Sequence, residues 1–95
     1  MNNYEGVFIL KASLDNDAQE KQVEEIKGVI TKNIGVPGEV QSWGKKKFTF
    51  DIKKQSEGFY YCIDFTLDPA AVKKIESIFK LNDQILRVMI INKES

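Results

Sequence analysis

Ninety-five residues, 42% of them apolar, with 14 basic and 14 acidic side chains that cancel to a formal charge of zero, supply one modest hydrophobic core and leave no room for a second; one domain over residues 1–95 is expected. That balance excludes an intrinsically disordered chain, and the single Cys excludes an internal disulfide, which fits a reducing cytoplasmic setting. No apolar run approaches the ~20 residues of a membrane span, and the opening Met1-Asn2-Asn3-Tyr4-Glu5 has no signal-peptide character, so no membrane partner is expected.

Tyr4 to Lys11 is a short apolar run rich in strand formers and reads as the first strand. Val23, Ile26, Ile30 and Ile34 then recur at spacings of three and four, one stripe of an amphipathic helix. Asp17, with Glu20 three positions on, resembles a capping box, and Asp15 is a competing N-cap. Gly35 suits the left-handed position after the helix, and Pro37 prevents continuation. Gly28, inside the helix, costs roughly 1 kcal/mol relative to Ala and is expected to mark a close approach of helix to sheet.

From Glu39 to Lys54 a long strand is expected. Phe48, Phe50 and Ile52 alternate there with Lys47, Thr49, Asp51 and Lys53. Gln55-Ser56-Glu57-Gly58 reads as the hairpin turn, and Phe59 to Leu67 as the next strand, with apolar or aromatic residues at every odd position. Asp68-Pro69 is an N-cap followed by proline at the first helical position. Val72, Ile75 and Phe79 form the stripe of a second helix ending near Leu81-Asn82, and Ile85 to Asn92 is the last strand.

The order β-α-β-β-α-β is the ferredoxin-like pattern: an α+β sandwich with two helices on one face of a four-stranded antiparallel sheet. Several strands carry apolar groups on both sides. Val7 and Ile9 oppose Phe8 and Leu10, and Met89 and Ile91 oppose Val88 and Ile90. Some of that surplus must face water or a partner.

Catalytic signals are absent. The chain has no His, its one thiol has no partner for nucleophilic work, and no Cys/His set is present for zinc. Gly35-Val36-Pro37-Gly38 lacks the Lys-Ser/Thr ending of a phosphate loop. Neither an enzyme, a cofactor nor a small-molecule substrate is expected. Cys62 reads as a buried structural residue.

Charge is unevenly distributed. The stretch Gly44 to Lys54 holds five Lys and one Asp and stands at +4, while the other 84 residues stand at −4. Lys on an edge strand commonly prevents intermolecular pairing. Against that reading, Lys45, Lys46 and Lys47 are consecutive and project to both sides of a strand, and Trp43, Phe48 and Phe50 are interleaved with them. Such a strand fits phosphate and sugar contact without base readout. Arg87, the one Arg, interrupts an apolar strand. Its planar fork suits phosphate, and an ordinary sheet-surface cation is the competing reading. Glu57 to Asp64 can be laid over the base-stacking motif of RNA-recognition domains, but Glu57, Tyr60 and Asp64 break it at the positions for a cation, a small residue and an aromatic. Base stacking of that kind is not expected.

Tyr4-Glu5, Trp43-Gly44-Lys45-Lys46, Phe48-x-Phe50-x-Ile52-x-Lys54, Gly58-Phe59-Tyr60 and the terminal Phe79-Lys80-Leu81-Asn82-Asp83-x-Ile85-Leu86-Arg87-x-Met89 follow one another along nearly the whole chain. With this set it resembles the bacterial small-subunit ribosomal protein six family. The resemblance implies the same fold and a structural role in the cytoplasmic ribosome. It implies binding to the central domain of small-subunit ribosomal RNA as a heterodimer with small-subunit ribosomal protein eighteen. By position it implies Lys45, Lys46 and Arg87 as RNA-binding residues, with Tyr4 beside them, and Phe48 and Phe50 as partner surface or core; Lys47 joins the RNA-binding set as the third of the consecutive lysines. The chain departs from the family's frequent Ala, Tyr and Pro at Thr49, Phe50 and Asp51, so a hydrogen bond from a Tyr hydroxyl at position 50 is lost. It also ends at Ser95 where many members carry a tail, so no tail contact is expected. The rival reading is a homodimeric ferredoxin-like regulatory module that binds a small ligand.

Overall fold

A computed structural model describes residues 1–93. Residues 94 and 95, over which the single-domain and chain-end expectations also ran, lie outside the described residues. The elements are β1 (Asn2–Lys11), α1 (Asn16–Lys32), β2 (Val36–Ile52), β3 (Gln55–Leu67), a 3-10 turn (Pro69–Ala71) leading into α2 (Val72–Lys80), and β4 (Ile85–Asn92). All strand pairs are antiparallel and the sheet order is β2-β3-β1-β4. This is the expected ferredoxin-like α+β sandwich. Among the described residues no helix is long and apolar enough to cross a membrane.

At the start of α1, Asp15 wins over Asp17. Its Oδ1 accepts from the Ala18 N–H at 2.8 Å, and Asp17 falls in the first turn, where its charge favours the positive end of the helix. The other end corrects the expectation for Gly35. The helix stops at Lys32, and the residue in left-handed backbone is Ile34, with φ 65°. The Gly35 N–H donates to the Ile30 carbonyl at 2.8 Å and the Ile34 N–H to the Thr31 carbonyl at 3.0 Å, the paired bonds of a Schellman cap. Gly35 is needed for space: a Cβ there would lie 2.7 Å from both Ile30 Cγ2 and the Thr66 carbonyl oxygen. Ile34 therefore leaves the expected stripe and is 77% exposed, while Val23, Ile26 and Ile30 are buried. Gly28 is also corrected. A Cβ at that position would meet nothing within 4 Å, so no close approach requires it.

Tyr4, Phe8 and Leu10 of β1, with Ile63, Phe65 and Leu67 of β3 and Ile85 of β4, pack against Val23, Ile26, Ile30, Ile75 and Phe79 of the helices. Phe8 meets Phe79 edge to face at 5.0 Å. Phe59 and Tyr61 pack at the margin of this cluster, on the helix-covered side. On the other side lie the alternate residues, among them Tyr60, Cys62 and Asp64 of β3, which pair across the ladder with β1 residues such as Ile9, Val7 and Glu5. Val7 and Ile9 are buried even there, while Met89 and Ile91 remain exposed.

The β2–β3 connection differs from expectation. Its turn is Lys53-Lys54, with φ 50° and 66°, closed by the pair Ile52↔Gln55. Gln55 to Gly58 belongs to β3. Two residues with positive φ make the hairpin turn whose twist matches the strands. The usual Asn or Gly is missing, so the polar Gln55-Ser56-Glu57-Gly58 looked the better turn.

Candidate nucleic-acid interface

β1 pairs with β3 only as far as Lys11↔Gly58, whereas β2 and β3 continue to Ile52↔Gln55. The end of the hairpin thus overhangs the sheet and carries Lys47, Lys53 and Lys54, with Lys45 and Lys46 at its base opposite Phe59 and Gly58. β2 is an edge strand, which is where Pro37 is tolerated within a sheet. Its register slips three times, between Pro37 and Val40, Ser42 and Gly44, and Lys47 and Ile52. At the middle slip Gly44 adopts φ 82°, the left-handed glycine of a β-bulge that re-aims the strand beyond it.

Beyond Gly44 the lysines divide between the two sides of the hairpin. Lys45 pairs with Phe59 and its Nζ lies 5.4 Å from that ring's centroid. Lys46 lies 5.5 Å from the Tyr60 ring and 5.6 Å from the Trp43 ring. These are cation–π distances; they hold the ammonium groups near aromatic faces while leaving both residues exposed. Lys47 pairs across the ladder with Glu57. Among the described residues none of Lys45, Lys46, Lys47, Lys53, Lys54 or Arg87 takes part in an ion pair; the three pairs present involve Lys27, Lys80 and Lys93.

Phe48 and Phe50, expected on one apolar row, part company because the third slip interrupts the alternation. Phe48 is half-buried, tilted against Tyr60 with ring centroids 6.2 Å apart. Gly58 makes room for it, since a Cβ there would lie 3.0 Å from Phe48 Cζ and 2.8 Å from Ile9 Cγ2. Phe50 is 82% exposed. Arg87, paired with Ile9 on β4, joins Lys47, Phe48, Phe50, Asp51 and Tyr60 around an open cavity of about 400 Å3. The fold therefore brings Arg87 together with the lysine-bearing hairpin, although some forty residues separate them in the chain.

Tyr4 is not brought into this group. It pairs with Phe65 in the ladder and stacks on that ring at 5.7 Å, 5% exposed. Its ring is packed in the core and offers no open face beside this group. Two features were missed in the sequence. Tyr60 is the aromatic that faces the cationic side, hidden by the attention its odd-numbered neighbours draw. The Lys53-Lys54 turn had no glycine to flag it. The Gly44 bulge was signalled by a glycine inside a strand pattern.

Glu5, Cys62 and Asp64 place their ligand atoms within 4.8 Å of one another. Burial, followed by the charge of Glu5 and a hydrogen bond to it, pushes the Cys62 thiol up to about 11. The Lys93 ammonium lies 3.7 Å from Asp64. A protonated thiol and a carboxylate already beside an ammonium make a poor metal site, and the thiol is equally unsuited to nucleophilic chemistry.

Comparison with known proteins agrees with this architecture. The family model described as Ribosomal protein S6 matches residues 3–92. The Small ribosomal subunit protein bS6 of Clostridium novyi (strain NT) is 40% identical over 94 residues, covering 99% of each chain. That of Clostridium botulinum (strain Loch Maree / Type A3) is also 40% identical, over 99% of this chain and all of its own. The crystal structure of 30S ribosomal protein S6 from Thermotoga maritima superposes with a TM-score of 0.88 at 28% identity, covering 98% of this chain and 88% of that one. By sequence along its length and by fold, this chain belongs to the ribosomal protein S6 family.

Proposed function

We propose that this small-subunit ribosomal protein forms one non-catalytic domain over residues 1–95. It binds the central domain of small-subunit ribosomal RNA cooperatively with small-subunit ribosomal protein eighteen, in the ribosome of the cytoplasm. The observation that carries the reading is the overhanging hairpin: concentrated lysines in a neutral molecule, without ion pairs among the described residues, in a chain of a ribosomal family. Lys45, Lys46 and Lys47, with Arg87 across the cavity from Lys47, neutralise phosphates. They fix position without reading bases. Phe50, and Phe48 at the cavity edge, belong to the protein partner's surface. Tyr4 supports the RNA site only by packing the start of β1.

The neutral total charge fits a shared site. A protein that binds RNA beside a basic partner need not be basic throughout, and its acidic remainder complements that partner. A homodimeric regulatory module is not favoured, since family membership gives no support to it. The test is co-sedimentation with ribosomal subunits, followed by titration of a central-domain RNA fragment with and without protein eighteen. Expected are presence in the small-subunit fraction, weak salt-dependent binding alone, and tighter binding with the partner. Absence from that fraction, or tight binding to which the partner adds nothing, overturns the reading.

A further inference from the structure

We propose that the tip of the β2–β3 hairpin is a second phosphate contact, made by Lys54 next to Lys53; this rests on the RNA-binding reading above. Both residues have left-handed backbone, φ 50° and 66°. That is what a two-residue turn of this type requires at both central positions, and Asn-Gly fills it with least strain. A lysine Cβ is crowded there, and two neighbouring ammonium groups repel. Among the described residues neither Lys53 nor Lys54 has a carboxylate partner to offset this. Backbone strain that the surrounding structure holds in place concentrates at functional sites.

The two lysines differ in what they do. Lys53 Nζ donates to the carbonyl of Ile85, the first residue of β4, in a long bond of 3.4 Å. That bond, at the long limit for N–H···O, links the overhang to the far edge of the sheet. Lys54 is exposed. The residues beyond it, Gln55 and Ser56, are polar, so on that side of the turn Lys54 has no apolar neighbour of the kind that centres a protein contact, unlike Phe50 before it. A lysine acting as a point charge on phosphate needs no such centre. The register sets Lys46 opposite Gly58 and the turn beside Gln55, three residues along β3, so the tip lies roughly 10 Å beyond Lys46 at strand rise, a separate position for a point charge. The two ends of the hairpin therefore meet separate points of an RNA backbone.

The test titrates the full chain against a central-domain fragment of small-subunit ribosomal RNA over a series of KCl concentrations, with and without protein eighteen. The wild type is compared with Lys54→Gly, Lys54→Asn and Lys54→Arg, and urea midpoints are recorded for each. Both neutral variants are expected to bind roughly three- to tenfold more weakly at 0.1 M salt and to lower the salt slope by about 1. Their unfolding midpoints should hold or rise because the strain is relieved, and Lys54→Arg should bind like the wild type. Unchanged affinity and slope in the neutral variants overturn the proposal. So does a weaker affinity at the wild-type slope, which marks lost structure instead of lost charge. A loss seen only when protein eighteen is present assigns Lys54 to the protein partner and also overturns it. If the wild type itself binds no RNA, the RNA-binding reading fails and takes this proposal with it.

Discussion

The hydroxyl of Tyr61 on β3 donates to Gln19 Oε1 on α1 at 2.8 Å, and Gln19 in turn donates from Nε2 to the Leu14 carbonyl at 3.0 Å. Gln19 is one of two buried polar residues among those described. Its amide is satisfied at both ends, which is what lets a polar group lie at the helix–sheet boundary. Tyr61→Phe leaves the Gln19 oxygen without its donor. It should lower unfolding free energy by about 1–2 kcal/mol, read from the urea midpoint with an unchanged m-value. No loss of stability would mean that water replaces the hydroxyl.

Ile34 holds the left-handed position of the α1 cap although a β-branched residue is the least suited to it. Being 77% exposed, it has little packing to lose. Ile34→Gly should therefore stabilise the fold by roughly 1 kcal/mol, the excess of the left-handed penalty over the chain entropy that glycine adds. A lower thermal midpoint would show that the side chain contributes contacts that outweigh the strain.

Gly28 and Gly35 should respond to alanine in opposite directions. Gly28 is helical with open space at its Cβ position, so Gly28→Ala should add roughly 1 kcal/mol. Gly35→Ala would drive a methyl to 2.7 Å from the Thr66 carbonyl oxygen. Backbone cannot yield as a side-chain end can, so a loss of about 1–3 kcal/mol is expected. Equal shifts from the two variants in chemical denaturation would contradict both assignments.

These helix ends show what was legible in the sequence. Apolar periodicity located every element, because burying one stripe of α1 or one face of β3 constrains many residues at once. Single-residue features were harder. Whether Asp15 or Asp17 caps α1 depends on where the preceding turn delivers the chain. Ile34 holds the left-handed position of the cap, while Gly35 is there for space against Thr66 and Ile30. At the candidate site, Lys45 and Lys46 were legible as a cationic pair. Their separation onto Phe59 and onto Trp43 with Tyr60 was not, since it depends on the Gly44 bulge. The exposure of Phe50 follows from a register slip that strict alternation hides. Arg87 meets the hairpin although β4 and β2 are opposite edges of the sheet, because the hairpin end lies toward β4, where Lys53 bonds the Ile85 carbonyl.

Cys62 should be inert in the native state. Burial first, with the Glu5 carboxylate adding to it, raises its thiol from 9.0 to about 11. A dithiobis-nitrobenzoate assay at pH 8 should show negligible reaction when folded and full reaction in denaturant. The sign of the pH effect on stability follows from the raised value. From pH 9 to 11 the unfolded chain releases the thiol proton and the folded chain keeps it, so stability falls across that window and is unaffected by this group below it. Rapid labelling of native protein would place the thiol at the surface.

Phe50 on the overhang and Lys46 at its base should fail in different assays. Lys46 lies over Trp43 and Tyr60 with its ammonium exposed to solvent. If the proposed phosphate contact holds, Lys46→Gln removes one charge from it and should reduce the RNA salt slope by about 1, with or without protein eighteen. Phe50 carries no charge and projects from an interrupted ladder, 82% exposed. Phe50→Ser should leave the fold's stability within about 0.5 kcal/mol and leave binding to RNA alone unchanged. Its cost should appear as reduced tightening when protein eighteen is added, since an exposed aromatic is the kind of group that anchors a protein interface. The separation matters more than either magnitude. If Phe50→Ser weakened RNA binding without the partner, its ring would be contacting nucleotides. If Lys46→Gln affected only the cooperative step, Lys46 would face the protein. Either result would redraw the division between the charged and the aromatic parts of the hairpin.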